Sequence, residues 1–293
     1  MNILITGKDS NIGNNIQRWF EGHQQECEFH IDQLDVITDV WRSYDYSRYD
    51  AIIHVAAIVH RPELRDWNLY KRVNADLPFE IAKLAKKQGV KQFVFISSMA
   101  VYGYDKTLRN KPITESTIPN PEDDDLYGKS KFMAEQFLHT IVSDDFRLSI
   151  VRPPNVYGPS GRGGYVRKFT KYLHYLPIIP DAYSNVAQSM LYLDNLSELI
   201  RLIVVERKQG TFMPQDSNAV STVELLSEIA RAKHWRKPTS KLFGLFVYIF
   251  SFVPIVKKIY GGVAYCSELS EIEGMHYRIV EFSEGMKKTI ETL

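Results

Sequence analysis

Short apolar runs of strand length alternate with longer segments of helical period through the first half of the chain. Ile3–Thr6, Ala51–Val55, Gln92–Ser97 and Leu148–Arg152 predict strands. Between them, Ile12–Phe20 and Leu77–Lys87 carry apolar residues at three- and four-residue steps. Phe79, Ala82, Leu84 and Ala85 thereby share a face that can lie on a sheet, so each segment predicts a crossover helix. Cys27–Asp32 supplies the second strand, with a boundary its polar character leaves open. Strands that alternate with crossover helices make an α/β protein: a Rossmann-type, doubly wound parallel sheet with helices on both faces.

The pattern changes at Pro153. Proline, glycine and aromatic residues cluster through Pro153–Pro180 and regular alternation fails, which divides the chain into residues 1–153 and a smaller C-terminal lobe, 154–293. Asp194–Val205 and Thr222–His234 predict helices, the second capped by Ser221, and Glu284–Ile290 predicts a last one. The most apolar stretch, Leu242–Val256, is shorter than the roughly 20 residues needed to cross a bilayer and contains Pro254. Its apolar residues recur on several faces, which predicts a helix pair buried in the C-terminal lobe. Lys241 before it and Lys257 and Lys258 after it keep open the alternative of a helix lying on a membrane surface.

Composition narrows the partners. With 293 residues, 44% hydrophobic and 24% charged, the chain can bury a sizeable core, and wholesale disorder is excluded. A net charge of +1 provides no overall field to draw it to nucleic acid. Cys27 and Cys266 are too few for a disulfide framework or a zinc site, and MNILITGK lacks the pattern of a secretory signal. The expected setting is the cytoplasm, with no metal.

Three motifs carry chemistry. Gly7-Lys8-Asp9-Ser10-Asn11-Ile12-Gly13 follows a strand and opens a helix, so amides at the helix start can face a pyrophosphate; an ordinary tight turn has the same form. Tyr127 and Lys131 stand four residues apart in DLYGKSKFMAEQF, which puts phenol and ammonium on one helix face. The ammonium favours the phenolate and lowers the tyrosine pKa, as a general base near neutral pH requires, although such a pair is also common on solvated surfaces. Ser98 lies in Ser97-Ser98-Met99-Ala100-Val101-Tyr102-Gly103 just past a strand, at the carboxyl edge where parallel sheets bind ligands; there it can bond a reacting oxygen or merely cap the loop.

In order and spacing these motifs resemble the extended short-chain dehydrogenase/reductase family, in particular its nucleotide-sugar 4-epimerases and 4-ketosugar reductases. His54-Val-Ala-Ala57, Asn74, Arg152-Pro-Pro-Asn-Val-Tyr-Gly-Pro159 and Leu191-Tyr-Leu-Asp-Asn195 extend the resemblance over nearly the whole chain. It implies an NAD-binding domain over 1–153 and a substrate-binding lobe over 154–293, with some segments returning to the first domain. Ser98, Tyr127 and Lys131 form the implied catalytic group. Gly7, Ser10, Asn11, Ile12 and Gly13 would wrap the pyrophosphate, and Ala56, Ala57 and Asn74 would pass beside the cofactor. Asp32 or Asp35 would hold the adenosine ribose, and Val36 the adenine. Ser98, Met99, Tyr127 and Asn155 would meet the substrate. A homodimer through helices flanking the sheet is also implied.

Departures from the family pattern bear on the reaction. Related 4,6-dehydratases place an Asp-Glu pair after the catalytic Ser or Thr, whereas this chain has Met99 and Ala100, which argues against dehydration. The lysine that often approaches the nicotinamide ribose is replaced by Val59, which bears on how firmly a cofactor is retained. The expected function is thus an NAD-dependent nucleotide-sugar 4-epimerase, similar to UDP-glucose 4-epimerases, that works through a 4-keto intermediate. The alternative is a UDP-4-keto-6-deoxy-sugar 4-reductase of surface-polysaccharide synthesis; a catalytically silent cofactor-binding protein is the third reading. No Lys or Arg occurs from Glu28 to Asp39, so NAD is expected over NADP, whose 2′-phosphate would meet a carboxylate.

Overall fold

The computed structural model describes residues 1–24, 28–59, 63–103, 108–159 and 164–293. Five strands of the first half are β1 (Asn2–Thr6), β2 (His30–Leu34), β3 (Ala51–His54), β4 (Gln92–Ile96) and β5 (Arg147–Val151). The remaining strands are short: β6 (Asn155–Tyr157), β7 (Ile179–Pro180), β8 (Ala187–Gln188), β9 (Met190–Tyr192), β10 (Gly210–Phe212), β11 (Val220–Ser221) and β12 (Thr239–Ser240). The helices are α1 (Asn11–Gly22), α2 (Trp67–Lys71), α3 (Leu77–Lys87), α4 (Leu126–His139), α5 (Tyr165–Tyr175), α6 (Leu193–Val205), α7 (Thr222–Ala232), α8 (Lys241–Ile249), α9 (Pro254–Tyr260), α10 (Ser267–Ser270) and α11 (Phe282–Glu291).

The main sheet has six parallel strands in the order β10-β5-β4-β3-β1-β2. Its central strands are buried on both faces, as their nearly unbroken apolar sequences require. One face packs on α1 and α6, the other on α3 and α4. This is the doubly wound, Rossmann-like arrangement read from the pattern. Strand order reverses between β1 and β3, and that switch point opens a crevice at the carboxyl ends of the strands. The second strand begins at His30; the Cys27 end of the stretch expected for it lies outside the described residues.

A third apolar cluster joins α5, α7 and α11 with Tyr157, Met190, Tyr192 and Tyr260. Thr222–Ala232 forms with a complete capping box, in which Glu224 N–H donates to Ser221 Oγ and Ser221 N–H to the Glu224 carboxylate. The chain crosses between the two regions more than once, since α6 packs on α1 and β10 forms the sheet's outer strand beside β5.

The apolar stretch departs from expectation. Leu242–Val256 is not buried: in α8 only Gly244 is, and in α9 only Tyr260. Seated through Gly244, α8 turns Val247 toward the lobe core that α5, α7 and α11 build, and Leu242, Leu245, Phe246 and Ile249 stay outside it. Among the described residues no helix is long and apolar enough to cross a membrane.

Candidate active site

A cleft of about 1550 Å³ lies at the carboxyl edge of the sheet. Ligand pockets commonly measure roughly 300–1,000 Å³, so this one has room for a dinucleotide and a second ligand together. One end is built by the turn after β1. Gly7 has φ +109°, and a Cβ there would come within 2.8 Å of Ala56 N, so only glycine allows the turn to approach the β3 loop. Ser10 caps α1 by accepting from Gly13 N–H at 3.0 Å. Gly7, Ser10, Asn11 and Ile12 line the cleft, the last two with amides at the helix start that lack intrahelical partners.

Gly13 serves differently from the expectation. It is buried and absent from the cleft wall, and a Cβ there would lie 2.6 Å from Ser10 Oγ and 3.3 Å from Val55 Cγ2. Its part is to let α1 start close against the sheet. Ala56 and Ala57 line the cleft after β3, where the Ala56 amide donates to Thr6 O. His54, at the end of β3, bonds Thr6 Oγ1 through Nδ1 at 2.7 Å. Burial, reinforced by the Lys131 charge, lowers its pKa to about 3, so it is a neutral strut.

The two ribose candidates separate. Asp32 points away from the cleft, its carboxylate accepting from Tyr49 Oη at 2.6 Å and paired with Arg48 at 3.3 Å. It sits in the middle of β2, on the same strand face as Leu34, which packs toward Trp41 and Tyr46. Asp35, just past the strand, lines the cleft with Val36 and accepts from Ile37 N–H. Asn74 is likewise withdrawn. It is fully buried, exchanges two hydrogen bonds with the Ile58 backbone and donates to Ser130 Oγ. It ties the β3 loop to α4 rather than lining the cleft.

The catalytic candidates converge. Ser98, Met99, Tyr127, Lys131 and Asn155 all line the cleft, brought there by the end of β4, the first turns of α4 and the start of β6. Asp125 starts α4 by accepting from Gly128 N–H. Ser98 Oγ accepts from Ala100 N–H at 3.1 Å, which leaves its O–H as a donor. Lys131 is buried, donates to Ile96 O at 2.7 Å and stands over the Phe95 ring. Burial lowers its pKa to about 7, against the opposing pull of the Glu135 carboxylate.

Sequence reasoning missed the layer behind this group. Glu135 is buried, receives Ser97 Oγ at 2.5 Å and is held by Arg152 through bonds of 3.0 and 2.6 Å. Arg152 also donates to Tyr102 Oη. The available signal was spacing: Glu135 follows Lys131 by four residues, as Lys131 follows Tyr127. Tyr165 and Gln188 were missed as well. Both line the cleft from the C-terminal half, and Tyr165 donates to Gln188 Oε1 at 2.5 Å. Gln188 Nε2 is buried with no protein partner, a donor at the wall of the cleft. No motif marks either residue.

The residues present fit a dinucleotide: a glycine turn closed to any Cβ, helix-start amides in the wall, and a carboxylate past β2. No group of His, Cys, Asp and Glu able to hold a metal occurs among the described residues. Residues 3–175 match the model of the NAD dependent epimerase/dehydratase family. The chain is 32% identical over 245 residues to a UDP-glucose 4-epimerase of Vibrio cholerae, covering 80% of this chain and 73% of that protein. It is 26% identical over 237 residues, 79% of this chain and 65% of the other, to the N-acetyl-α-D-glucosaminyl-diphospho-ditrans,octacis-undecaprenol 4-epimerase of Escherichia coli O157:H7. Its fold is shared with the UDP-glucose 4-epimerase of Thermus thermophilus solved with NAD, at a TM-score of 0.74 and 20% identity over 100% of this chain and 98% of that one.

Proposed function

The chain belongs to the NAD dependent epimerase/dehydratase family, and from that premise we propose that it is an NAD-dependent nucleotide-sugar 4-epimerase acting at sugar C4. One observation carries this reading: Ser98, Tyr127 and Lys131 line the same cleft as the Gly7–Ile12 turn. That cleft has the volume for a cofactor and a sugar nucleotide side by side.

Bound NAD supplies a hydride acceptor, and later donor, at C4. Tyr127 takes the proton of the 4-hydroxyl and returns it when the 4-keto sugar has turned over. Lys131, one helical turn away, would favour the phenolate and help hold the nicotinamide ribose. Ser98, with its oxygen occupied by the Ala100 amide, donates to the C4 oxygen and holds it beside Tyr127. Asp35 and Val36, which line the cleft just past β2, would hold the adenosine ribose and the adenine. Asn155 and the partnerless Gln188 amide meet the sugar nucleotide. In this division of labour residues 1–153 carry the dinucleotide and 154–293 mainly the substrate, with α6 and β10 returning to the sheet.

A second reading, a 4-ketosugar reductase, uses the same side chains with Tyr127 as proton donor. Val59 favours it: this cleft residue is an exposed valine, which offers no charge to retain a cofactor between turnovers. Product analysis with UDP-, dTDP- and GDP-sugars, with and without NADH, tests both. Interconversion of 4-epimers with no net cofactor consumed supports the epimerase. One NADH oxidised per 4-keto sugar reduced supports the reductase, and binding of both ligands without turnover refutes the two together.

A further inference from the structure

Nine of the 17 exposed large hydrophobic residues among the described residues fall within 242–255. On α8, Leu242, Leu245, Phe246 and Ile249 follow the i, i+3, i+4, i+7 spacing of one helix face and are 55–67% exposed. A stripe with that spacing ordinarily faces a core; here it faces outward, and Phe252 after it is 74% exposed. The helix is nevertheless firmly seated by its other side. Gly244 lies so close to the 181–182 backbone that a Cβ would overlap Asp181 O, Val247 packs on the lobe core, and Tyr248 Oη accepts from Tyr183 N–H at 2.9 Å. The lobe thus holds an apolar face outward on a fixed mount.

Charge identifies what covers it. Between Ile229 and Ser267 the chain has seven Lys or Arg and no Asp or Glu, while the whole chain carries only +1. Lys241 begins α8, and Lys257 and Lys258 lie in α9. A second copy docked through the same face would set this acid-free cationic segment against an identical one, with no carboxylate in it to pair with the lysines. An anionic surface meets them with opposite charge. At about 1.5 Å per residue α8 is only about 14 Å long, so it can lie in an interface and cannot span it.

We propose that α8 and α9 form a monotopic docking surface for an anionic phospholipid bilayer, with the apolar stripe in the headgroup–acyl boundary and the lysines among the lipid phosphates. Lys257 and Lys258 also line the cleft, as do Gly261 and Gly262 just after α9. α9 thus belongs both to the docking surface and to the wall of the cleft. This surface is the same whether the site is that of an epimerase or of a reductase.

Flotation of the full chain with vesicles of phosphatidylcholine containing 30% phosphatidylglycerol, and with phosphatidylcholine alone, tests it. The wild type should partition onto the anionic vesicles, at least tenfold less onto the neutral ones, and more weakly in 0.5 M NaCl. A Phe246→Ser/Phe252→Ser variant should lose that partitioning at least tenfold while keeping its melting temperature and NAD affinity. Lys241→Glu should weaken it without altering the fold. No partitioning of the wild type, or partitioning indifferent to the serine substitutions, overturns the proposal. So does a wild-type dimer in sedimentation that the same substitutions dissociate, which would assign the face to a second copy.

Discussion

Arg152, the first residue after β5, forks onto the buried Glu135 of α4, Nε and Nη2 reaching its two carboxylate oxygens at 3.0 and 2.6 Å. This buried pair fixes the helix that carries Tyr127 and Lys131 to the carboxyl edge of the sheet, and Ser97, next to Ser98, donates to the same carboxylate. The position of the catalytic candidates is therefore set by an ion pair outside the cleft.

Breaking that pair from one side leaves an uncompensated buried charge, so Arg152→Met or Glu135→Leu should each destabilise the protein by about 3–5 kcal/mol in urea unfolding. The double variant Glu135→Leu/Arg152→Met should recover most of the loss. If the double variant loses the sum of the two single effects, the residues do not act as a pair.

Tyr127→Phe keeps the ring and removes the phenol. Turnover should fall by about 10²–10⁴, the contribution of a general acid/base, with NAD affinity unchanged by titration calorimetry. Near-normal turnover would remove Tyr127 from the reaction.

Lys131 makes stability depend on pH in a defined direction. Its pKa drops on folding from an ordinary 10.5 to about 7 because the ammonium is buried. Between those values the unfolded chain binds the extra proton, so stability rises with pH across this window. Below it the amine is protonated in both states and the whole burial cost stands. Lys131→Met, which has no amine to bury, should thus melt higher than the wild type at pH 6.5 and lose that margin by pH 9.5. In a domain of this size each kcal/mol corresponds to roughly 2–4 °C by scanning fluorimetry. The same variant should bind NAD more weakly, and a margin constant with pH would contradict the assignment of the shift to Lys131.

Asp35→Ala and Asp32→Ala distinguish the two carboxylates. Loss of a charged acceptor for the ribose should weaken NAD by about 10–100-fold in Asp35→Ala, and Asp32→Ala should leave it unchanged. NAD should bind more tightly than NADP to the wild type, and Asp35→Ala should narrow that difference. The reverse effects of the two alanines would return the ribose to Asp32.

The alternation of strand runs with helical periods determined the parallel sheet by itself, because β3 and β4 are buried on both faces and tolerate little besides apolar residues there. The Gly7 turn, Ser98 and the Tyr127–Lys131 pair were legible for a related reason. What marked them as candidates is local spacing, a glycine directly after a strand or two side chains one helical turn apart, and spacing is written in the chain. What tertiary structure decided depends on contacts between distant segments. Asp32 and Asp35 differ by three positions in sequence, and only the packing of β2 beside Tyr49 and Arg48 turns one away and leaves the other in the cleft. Asn74 looks like a ligand residue until Ile58 and Ser130 are found occupying its amide. Gln188 carries no motif, and its partnerless Nε2 exists only because β8 and α5 meet at the cleft. The Leu242–Val256 stretch gave the same apolar signal a buried helix would give. Burial also requires a neighbouring element on that side, and here α8 meets the lobe through Gly244, Val247 and Tyr248, which leaves the opposite face outward.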